Sequence, residues 1–189
     1  MMPYFTDADA RTIIRTTYEA AGGDDGAVAD ALYEPHELSG LPRDAILRAF
    51  GVGHPVRYAA LGPGDVVLDV GCGAGIDTLL AARRVTRLGR VLALDMTPAM
   101  VERARANARA AGFGHVEVHE GLMEAMPFPD ARVDVVISNG VLNLSTRKSR
   151  SLAEMYRVLR PSGQVALADL VIAGALPEEI LKNPTALAV

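Results

Sequence analysis

The stretch DVGCGAG, from Asp69 to Gly75, decides the fold. It ends a short, almost entirely apolar run from Val66 to Val70, and a helical apolar stripe begins at Ile76. A run of this length and composition indicates a strand that is buried on both faces of a parallel sheet. Glycines where such a strand feeds a helix allow a ligand to approach the backbone closely. The stretch therefore predicts a ligand-binding loop between a buried strand and a helix.

Strand and helix patterns alternate after this loop. Further strands are predicted over residues 90–95, 116–120, 133–139 and 164–172. Helical stripes follow the strand that ends at Val70 and the strands over residues 90–95 and 133–139. Strands separated by helical crossovers form a parallel sheet. Residues 1–60 show only helical spacing, interrupted at Gly22–Gly26. We therefore predict an α/β protein in which a helical extension, residues 1–60, precedes a Rossmann-like doubly wound parallel sheet in residues 61–189.

The composition limits the classes of partner. The chain has 189 residues, of which 50% are hydrophobic and 22% charged, with a formal net charge of −4. This acidic balance argues against a nucleic-acid partner, and no apolar run approaches the roughly 20 residues of a membrane helix. The single cysteine, Cys72, allows neither an intrachain disulfide nor a cysteine-based metal site. We expect a cytoplasmic protein that acts on a small molecule. We expect it to bind neither a metal ion nor nucleic acid, and not to associate with a membrane.

Asp95 is the last residue of the second predicted strand, 20 residues after Gly75. A carboxylate at that point can accept hydrogen bonds from both ribose hydroxyls of an adenosine group. A dinucleotide dehydrogenase uses a similar pairing, but its loop is GxGxxG, whereas this loop is GCGAG and is preceded by Asp69. That carboxylate would repel a pyrophosphate and attract the ammonium group of S-adenosylmethionine. The pattern favours S-adenosylmethionine over NAD as the cofactor.

Further motifs after DVGCGAG carry a family resemblance. In order, they are LALDMTPAMVERARANA, HEGLMEAMPFPD, VDVVISNGVLNLS, MYRVLRPSGQVALAD and LPEEILKNP. Together they resemble class I S-adenosylmethionine-dependent methyltransferases over about residues 51 to 185. SNGVLNLS with the LPEE tail resembles the arsenite methyltransferase branch in particular. The resemblance implies an enzyme that transfers a methyl group from S-adenosylmethionine to a small molecule.

The resemblance also assigns the residues that contact the cofactor. For the methionine and ribose groups they are Asp69, Gly71, Gly73, Gly75 and Asp95; Met96 and Met123 would flank the adenine. Asn139 matches the position that meets the methionine group, Asp77 matches an acid that follows the glycine loop, and Tyr18 lies in a segment similar to the helix that covers the cofactor.

This sequence differs from the arsenite methyltransferase branch at the three positions where relatives have arsenic-binding cysteines. Relatives hold trivalent arsenic with cysteine thiolates, but the matching positions are Val52 and Gly140 here, and a third would fall beyond Val189. Cys72 belongs to the cofactor loop, and one thiolate cannot supply a three-sulfur site. We therefore predict a methyl acceptor other than arsenite.

The region after the fifth predicted strand also departs from the family. The family sheet continues with a helix and an antiparallel hairpin, whereas this sequence ends at Val189. We expect a C-terminally short domain that lacks the hairpin and leaves the strand over residues 164–172 as an exposed apolar edge. A homodimer could cover that edge. A catalytically silent cofactor-binding module, or a partner subunit, is the alternative to an active enzyme.

Direct transfer from a sulfonium needs mainly alignment of donor and acceptor, and the sequence shows no obvious catalytic dyad. Three residues are candidates. His54 could be a general base or a surface-loop histidine, and Asn143 could contact substrate or bond the loop after the fourth strand. Asp169 is an acid in an apolar strand, which predicts a place facing the pocket, as an acceptor contact or a helix cap.

Overall fold

The computed structural model describes residues 5–23, 25–171, 173–183 and 186. Its centre is a sheet of parallel strands: β1 (Val66–Val70), β2 (Arg90–Asp95), β3 (Val116–Glu120), β4 (Val133–Asn139) and β5 (Leu159–Ala168). The spatial order is β3-β2-β1-β4-β5. The chain therefore builds one half of the sheet outward from β1 and then returns to build the other half, which is the doubly wound arrangement.

Helices precede the sheet and connect its strands. The N-terminal segment contains α1 (Asp7–Ala20), α2 (Ala27–Leu32), α3 (Pro35–Leu38), α4 (Arg43–Leu47) and α5 (Pro55–Tyr58). Within and after the sheet lie α6 (Ile76–Val85), α7 (Pro98–Ala110), a 3₁₀ turn at Leu142–Leu144, α8 (Lys148–Val158) and α9 (Glu178–Leu181). The predicted Rossmann-like parallel sheet is confirmed, and no antiparallel hairpin joins it within the described residues.

The hydrophobic core lies on both faces of β1, whose Val67, Leu68 and Val70 are fully buried. On one face, α6 packs together with apolar side chains of the N-terminal segment, including Tyr33 and Val56. The opposite face packs against the segment before β4 and against α8. The N-terminal segment therefore shares a core with the sheet, while the boundary at residue 60 stays a prediction.

Strand β5 differs from its predicted range. The apolar pattern predicted residues 164–172, whereas β5 begins at Leu159, directly after α8, and ends at Ala168. The physical reason is an irregularity at Pro161–Gly163, where Ser162 adopts a φ of 68° and the pairing with β4 shifts in register. Such a bulge is tolerated at a sheet edge, although proline and glycine in a sequence favour a turn. Ile172, the last residue of the predicted strand, lies outside the described residues.

Strand β5 is an edge strand of the sheet among the described residues, and the side chains of its Val165 and Leu167 are 42% and 39% exposed. In the same part of the chain, every helix is too short or too polar to cross a membrane.

Truncation of Leu68 tests the position of the core. Leu68→Ala should lower the free energy of unfolding by about 3 kcal/mol, because it removes a fully buried side chain from the central strand and leaves a cavity. Leu88→Ala is the matched control, since Leu88 is 81% exposed, and it should change stability by less than about 0.5 kcal/mol. Urea unfolding gives both values. Equal effects of the two substitutions would contradict this description of the core.

Candidate functional site

The carboxyl ends of β1, β2 and β4 surround a cavity at the point where the strand order reverses. Its wall is formed by the glycine loop after β1, the residues after β2, the residues after β4 and the inner face of α1. In doubly wound sheets, ligands bind at this reversal because adjacent crossovers lie on opposite faces and leave a crevice. The fold itself therefore places the predicted cofactor residues around a shared space.

The glycine loop adopts backbone conformations that residues other than glycine rarely adopt. Gly71, Gly73 and Gly75 all have positive φ values, of 75°, 52° and 96°. At Gly71, a Cβ atom would lie 2.4 Å from Cγ2 of Val141, so a side chain would also clash. Gly71 and Gly73 line the cavity, whereas Gly75, the residue that caps the start of α6, does not line it. Gly75 is close to Ala104 of α7, so the structure gives it a packing role that the predicted cofactor contact left out.

Asp95 ties the loop to β2. Its carboxylate accepts hydrogen bonds from the backbone N–H groups of Gly73, at 2.9 Å, and Thr97, at 2.8 Å. Burial raises the pKa of this carboxyl group, and the backbone donors oppose that rise. Asp95 lines the cavity at the end of β2, which is the position that the sequence predicted for a ribose-binding acid.

Asp69 and Asp77 are two further buried acids on the cavity wall. Asp69 accepts a 2.5 Å hydrogen bond from Oγ1 of Thr78, and burial together with the charge of Asp77 raises its pKa to about 8. Burial raises the pKa of Asp77 to about 6, against the hydrogen bonds from Asn139 and Tyr33. Ionised carboxylates in such surroundings are stabilised by a cationic ligand. This cavity therefore favours a positively charged ligand over a pyrophosphate.

The remaining predicted cofactor residues also line the cavity. They are Met96 and Met123, whose side chains are suited to an adenine ring, Asn139 at the end of β4, and Tyr18 on α1. The Tyr18 ring contacts the Phe50 ring edge-on, with 5.6 Å between the ring centroids. Helix α1 thus forms part of the cavity wall, and its role in covering the cofactor stays a prediction.

His54 lies outside the cavity lining and is 5% exposed, so its interpretation as a surface-loop histidine is wrong. Its Nε2 atom is 3.0 Å from Oε1 of Glu37. Its Nδ1 atom accepts a hydrogen bond from the backbone N–H of Arg57 and so caps α5. Both ring nitrogens are engaged away from the cavity, which leaves the general-base role without geometric support.

Asn143 and Asp169 also lie outside the cavity lining. Asn143 donates from Nδ2 to Oδ1 of Asp169 at 2.9 Å, and its backbone N–H donates to the other carboxylate oxygen. Asp169 directly follows the last residue of β5, near the predicted strand end, but its carboxylate is engaged by Asn143 and it is not among the residues that line the cavity. The pair joins the loop after β4 to the segment after β5.

Several residues at the site carry no signal in the sequence. Tyr33 donates from its hydroxyl to Asp77 across 44 positions of the chain, Thr78 holds Asp69, and Val141 packs over Gly71. None belongs to a recognisable spacing pattern. Within the described residues, no group of His, Cys, Asp or Glu side chains is arranged to hold a metal ion.

The parallel sheet, the glycine loop and the acid at the end of β2 define a nucleoside-binding domain of the class I methyltransferase type. The chain belongs to the methyltransferase domain family, whose match covers residues 61–188. S-adenosylmethionine is the methyl donor of class I methyltransferases, and the buried acids and glycine loop of this cavity fit its positive charge and its ribose.

Individual relatives agree with this assignment. The chain is 40% identical over 155 residues to an arsenite methyltransferase of Halobacterium salinarum, covering 82% of this chain and 39% of that protein. It is 35% identical over 159 residues to a malonyl-[acyl-carrier protein] O-methyltransferase of Serratia marcescens, covering 84% and 52%. A crystal structure of an arsenic(III) S-adenosylmethionine methyltransferase from Chlamydomonas reinhardtii superposes with a TM-score of 0.70 at 34% identity, covering 87% and 55%. The chain thus spans roughly half of these relatives or less.

The raised pKa of Asp69 predicts how the stability of the ligand-free chain depends on pH. The native state retains a proton that the unfolded state, with an Asp pKa of about 3.9, has already lost. The contribution of Asp69 to stability is therefore complete below about pH 4 and is lost as the pH rises through 8. Asp69→Asn removes this ionisation, so the variant should gain stability relative to the unaltered chain between pH 5 and 9. Urea unfolding at several pH values measures the difference, and a constant difference would contradict the prediction.

Proposed function

We propose that this chain binds S-adenosylmethionine through the predicted residues and transfers its methyl group to a small molecule other than arsenite. The observation that carries the proposal is that the glycine loop, Asp95 and two buried acids, Asp69 and Asp77, line the same cavity. A site for a nucleoside alone would need only the glycine loop and Asp95. The two additional buried acids support a ligand that brings its own positive charge, because such a charge would favour their ionised forms.

Each part of the cavity suits a different part of the cofactor. Asp95 lies at the end of β2, where its carboxylate can accept hydrogen bonds from the ribose hydroxyls. Gly71 and Asp69 lie at the end of β1, towards the methionine group, and an ammonium there would be attracted by the carboxylate. Met96 and Met123 supply apolar, polarisable surface for the adenine.

When bound, S-adenosylmethionine supplies an electrophilic methyl group. The residues of this chain then have to hold donor and acceptor in line and keep water away, which can supply much of the rate enhancement without a general base. Tyr18 and Phe50 close one side of the cavity, and Val141 lies on another. The absence of His54, Asn143 and Asp169 from the cavity lining is compatible with a mechanism that depends on alignment.

The exclusion of arsenite rests on positions that the structure brings together. A Cβ atom on Gly140 would lie 3.5 Å from Cγ1 of Val52, so the two positions that match arsenic-binding cysteines are neighbours in space. Neither carries sulfur here. The thiol of Cys72 is buried in the cofactor loop, and burial raises its pKa well above the usual range. An apolar contact therefore occupies the place where thiolates would be needed. The cytoplasmic location and the homodimer through β5 stay predictions.

Replacement of Asp95 tests the cofactor site. Asp95→Asn should weaken binding of S-adenosylmethionine at least tenfold, because hydrogen bonds to a charged acceptor contribute about 1.5–3 kcal/mol. Calorimetric titration measures the affinity. Glu120→Gln is the matched control, since Glu120 lies beside Asp95 in the sheet register but is exposed and outside the cavity lining. The control should bind within about twofold of the unaltered chain. Binding of NAD in place of S-adenosylmethionine would contradict the proposal.

Arsenite gives a second test, of the acceptor. Incubation of the chain with isotopically labelled S-adenosylmethionine, arsenite and a thiol reductant should yield no labelled methylarsenic product, because no thiolate pair is available to hold the metalloid. An established arsenite methyltransferase assayed in parallel is the positive control. Methylated arsenic formed at a comparable rate would show that the acceptor prediction is wrong, while leaving the cofactor assignment intact.

A further inference from the structure

A polar network joins Tyr33, at the end of α2, to Asp77 and Asn139, two predicted cofactor residues on the cavity wall. Tyr33 is 3% exposed, and its hydroxyl donates a 3.1 Å hydrogen bond to Oδ1 of Asp77. Nδ2 of Asn139 donates to the other oxygen, Oδ2, at 2.8 Å. Both oxygens of the carboxylate are therefore held by side chains that come from different parts of the chain.

The same amide of Asn139 holds the segment that matches an arsenic-binding segment in relatives. Its Oδ1 atom accepts hydrogen bonds from the backbone N–H groups of Val52, at 2.8 Å, and Gly53, at 3.1 Å, and Nδ2 donates to the Gly53 carbonyl oxygen at 2.7 Å. A Cβ atom on Gly51 would lie 2.3 Å from Nδ2, so this segment contacts the amide directly. Movement of Asn139 would disturb Asp77 and residues 51–53 together.

The Tyr33 ring is fixed independently of its hydroxyl. It belongs to the core formed with α6, and it contacts the ring of His54 with 4.6 Å between the centroids. His54 is in turn held by Glu37. A phenylalanine could make the same ring contacts, so packing alone does not require the hydroxyl. Its hydrogen bond to Asp77 gives the buried oxygen a partner and gives the carboxylate a defined orientation.

We propose that Tyr33 is a positioning residue for the cofactor, which acts by orienting the Asp77 carboxylate at the cavity wall and, through Asn139, residues 51–53 beside it. This inference rests on the proposed binding of S-adenosylmethionine. It extends the site to a residue of the N-terminal segment that does not line the cavity itself.

The charges around Asp77 define a readout that packing would not affect. The titratable groups that act on it are Asp69 from β1, His54 from the turn before α5, Glu37 from α3 and the Tyr33 phenol. Among the hydrogen bonds, those from Asn139 and Tyr33 favour the ionised carboxylate, which burial disfavours. Removal of the Tyr33 hydroxyl should therefore raise the pKa of Asp77.

The experiment is calorimetric titration of the full chain with S-adenosylmethionine between pH 5.5 and 8.5, for the unaltered chain and for Tyr33→Phe. Affinity for a cationic ligand should fall as the pH drops, first as Asp69 becomes protonated and then, in the acid limb of the profile, as Asp77 does. In Tyr33→Phe the affinity at pH 7 should fall roughly tenfold, and the acid limb of the profile should move to higher pH. Tyr58→Phe is the matched control, since Tyr58 is 79% exposed, and its profile should match that of the unaltered chain.

Introducing Tyr33→Phe into an Asp77→Asn variant distinguishes an effect on the Asp77 carboxylate from a general disturbance of the fold. There, Tyr33→Phe should produce no further displacement of the pH profile, and thermal unfolding confirms that each variant is folded. Superimposable profiles for Tyr33→Phe and the unaltered chain, or a loss of affinity that is equal at every pH, would overturn the role of Tyr33 while leaving the cofactor site intact. Absence of binding by the unaltered chain would instead overturn the proposed function, and this inference with it.

Discussion

At Gly71 the backbone leaves β1 with a φ of 75° and passes so close to Val141 that no side chain fits between them. The carbonyl oxygen of Leu94 accepts hydrogen bonds from the N–H groups of Gly71 and Cys72, and the Asp95 carboxylate accepts one from Gly73. The loop is therefore attached to the neighbouring strand by its own backbone. This attachment determines where the chain can enter α6 and leaves the crevice between β1 and β4 open for a ligand.

The buried acids around that crevice suit the binding of a cationic ligand, but their burial opposes the stability of the ligand-free folded state. Asp69, Asp77 and Asp95 all have carboxyl groups whose pKa is raised by burial, so the ligand-free chain binds protons that water-exposed acids would lose. Conflicts of this kind are expected at functional sites, where a residue is selected for the ligand and not for the folded state alone. A cationic methyl donor resolves the conflict, since its charge stabilises the ionised form of the same groups.

The N-terminal helices complete the site. Tyr18 covers the crevice from α1, Tyr33 reaches Asp77 from the end of α2, and residues 51–53 are held by Asn139 at the end of β4. Residues at the carboxyl ends of the strands line one part of the cavity, and this preceding segment lines another.

The sequence by itself determined the parallel sheet, the glycine loop and Asp95, because apolar runs, glycine spacing and an acid at a strand end are local patterns with a direct physical meaning. Through the family resemblance it also predicted a set of cofactor residues, most of which line the cavity. Tertiary structure alone decided that Gly75 packs against α7, that His54 faces Glu37 and that Tyr33 reaches Asp77. Such pairings join residues far apart in the chain, and whether a polar side chain faces a cavity or a buried partner depends on packing that local patterns do not encode.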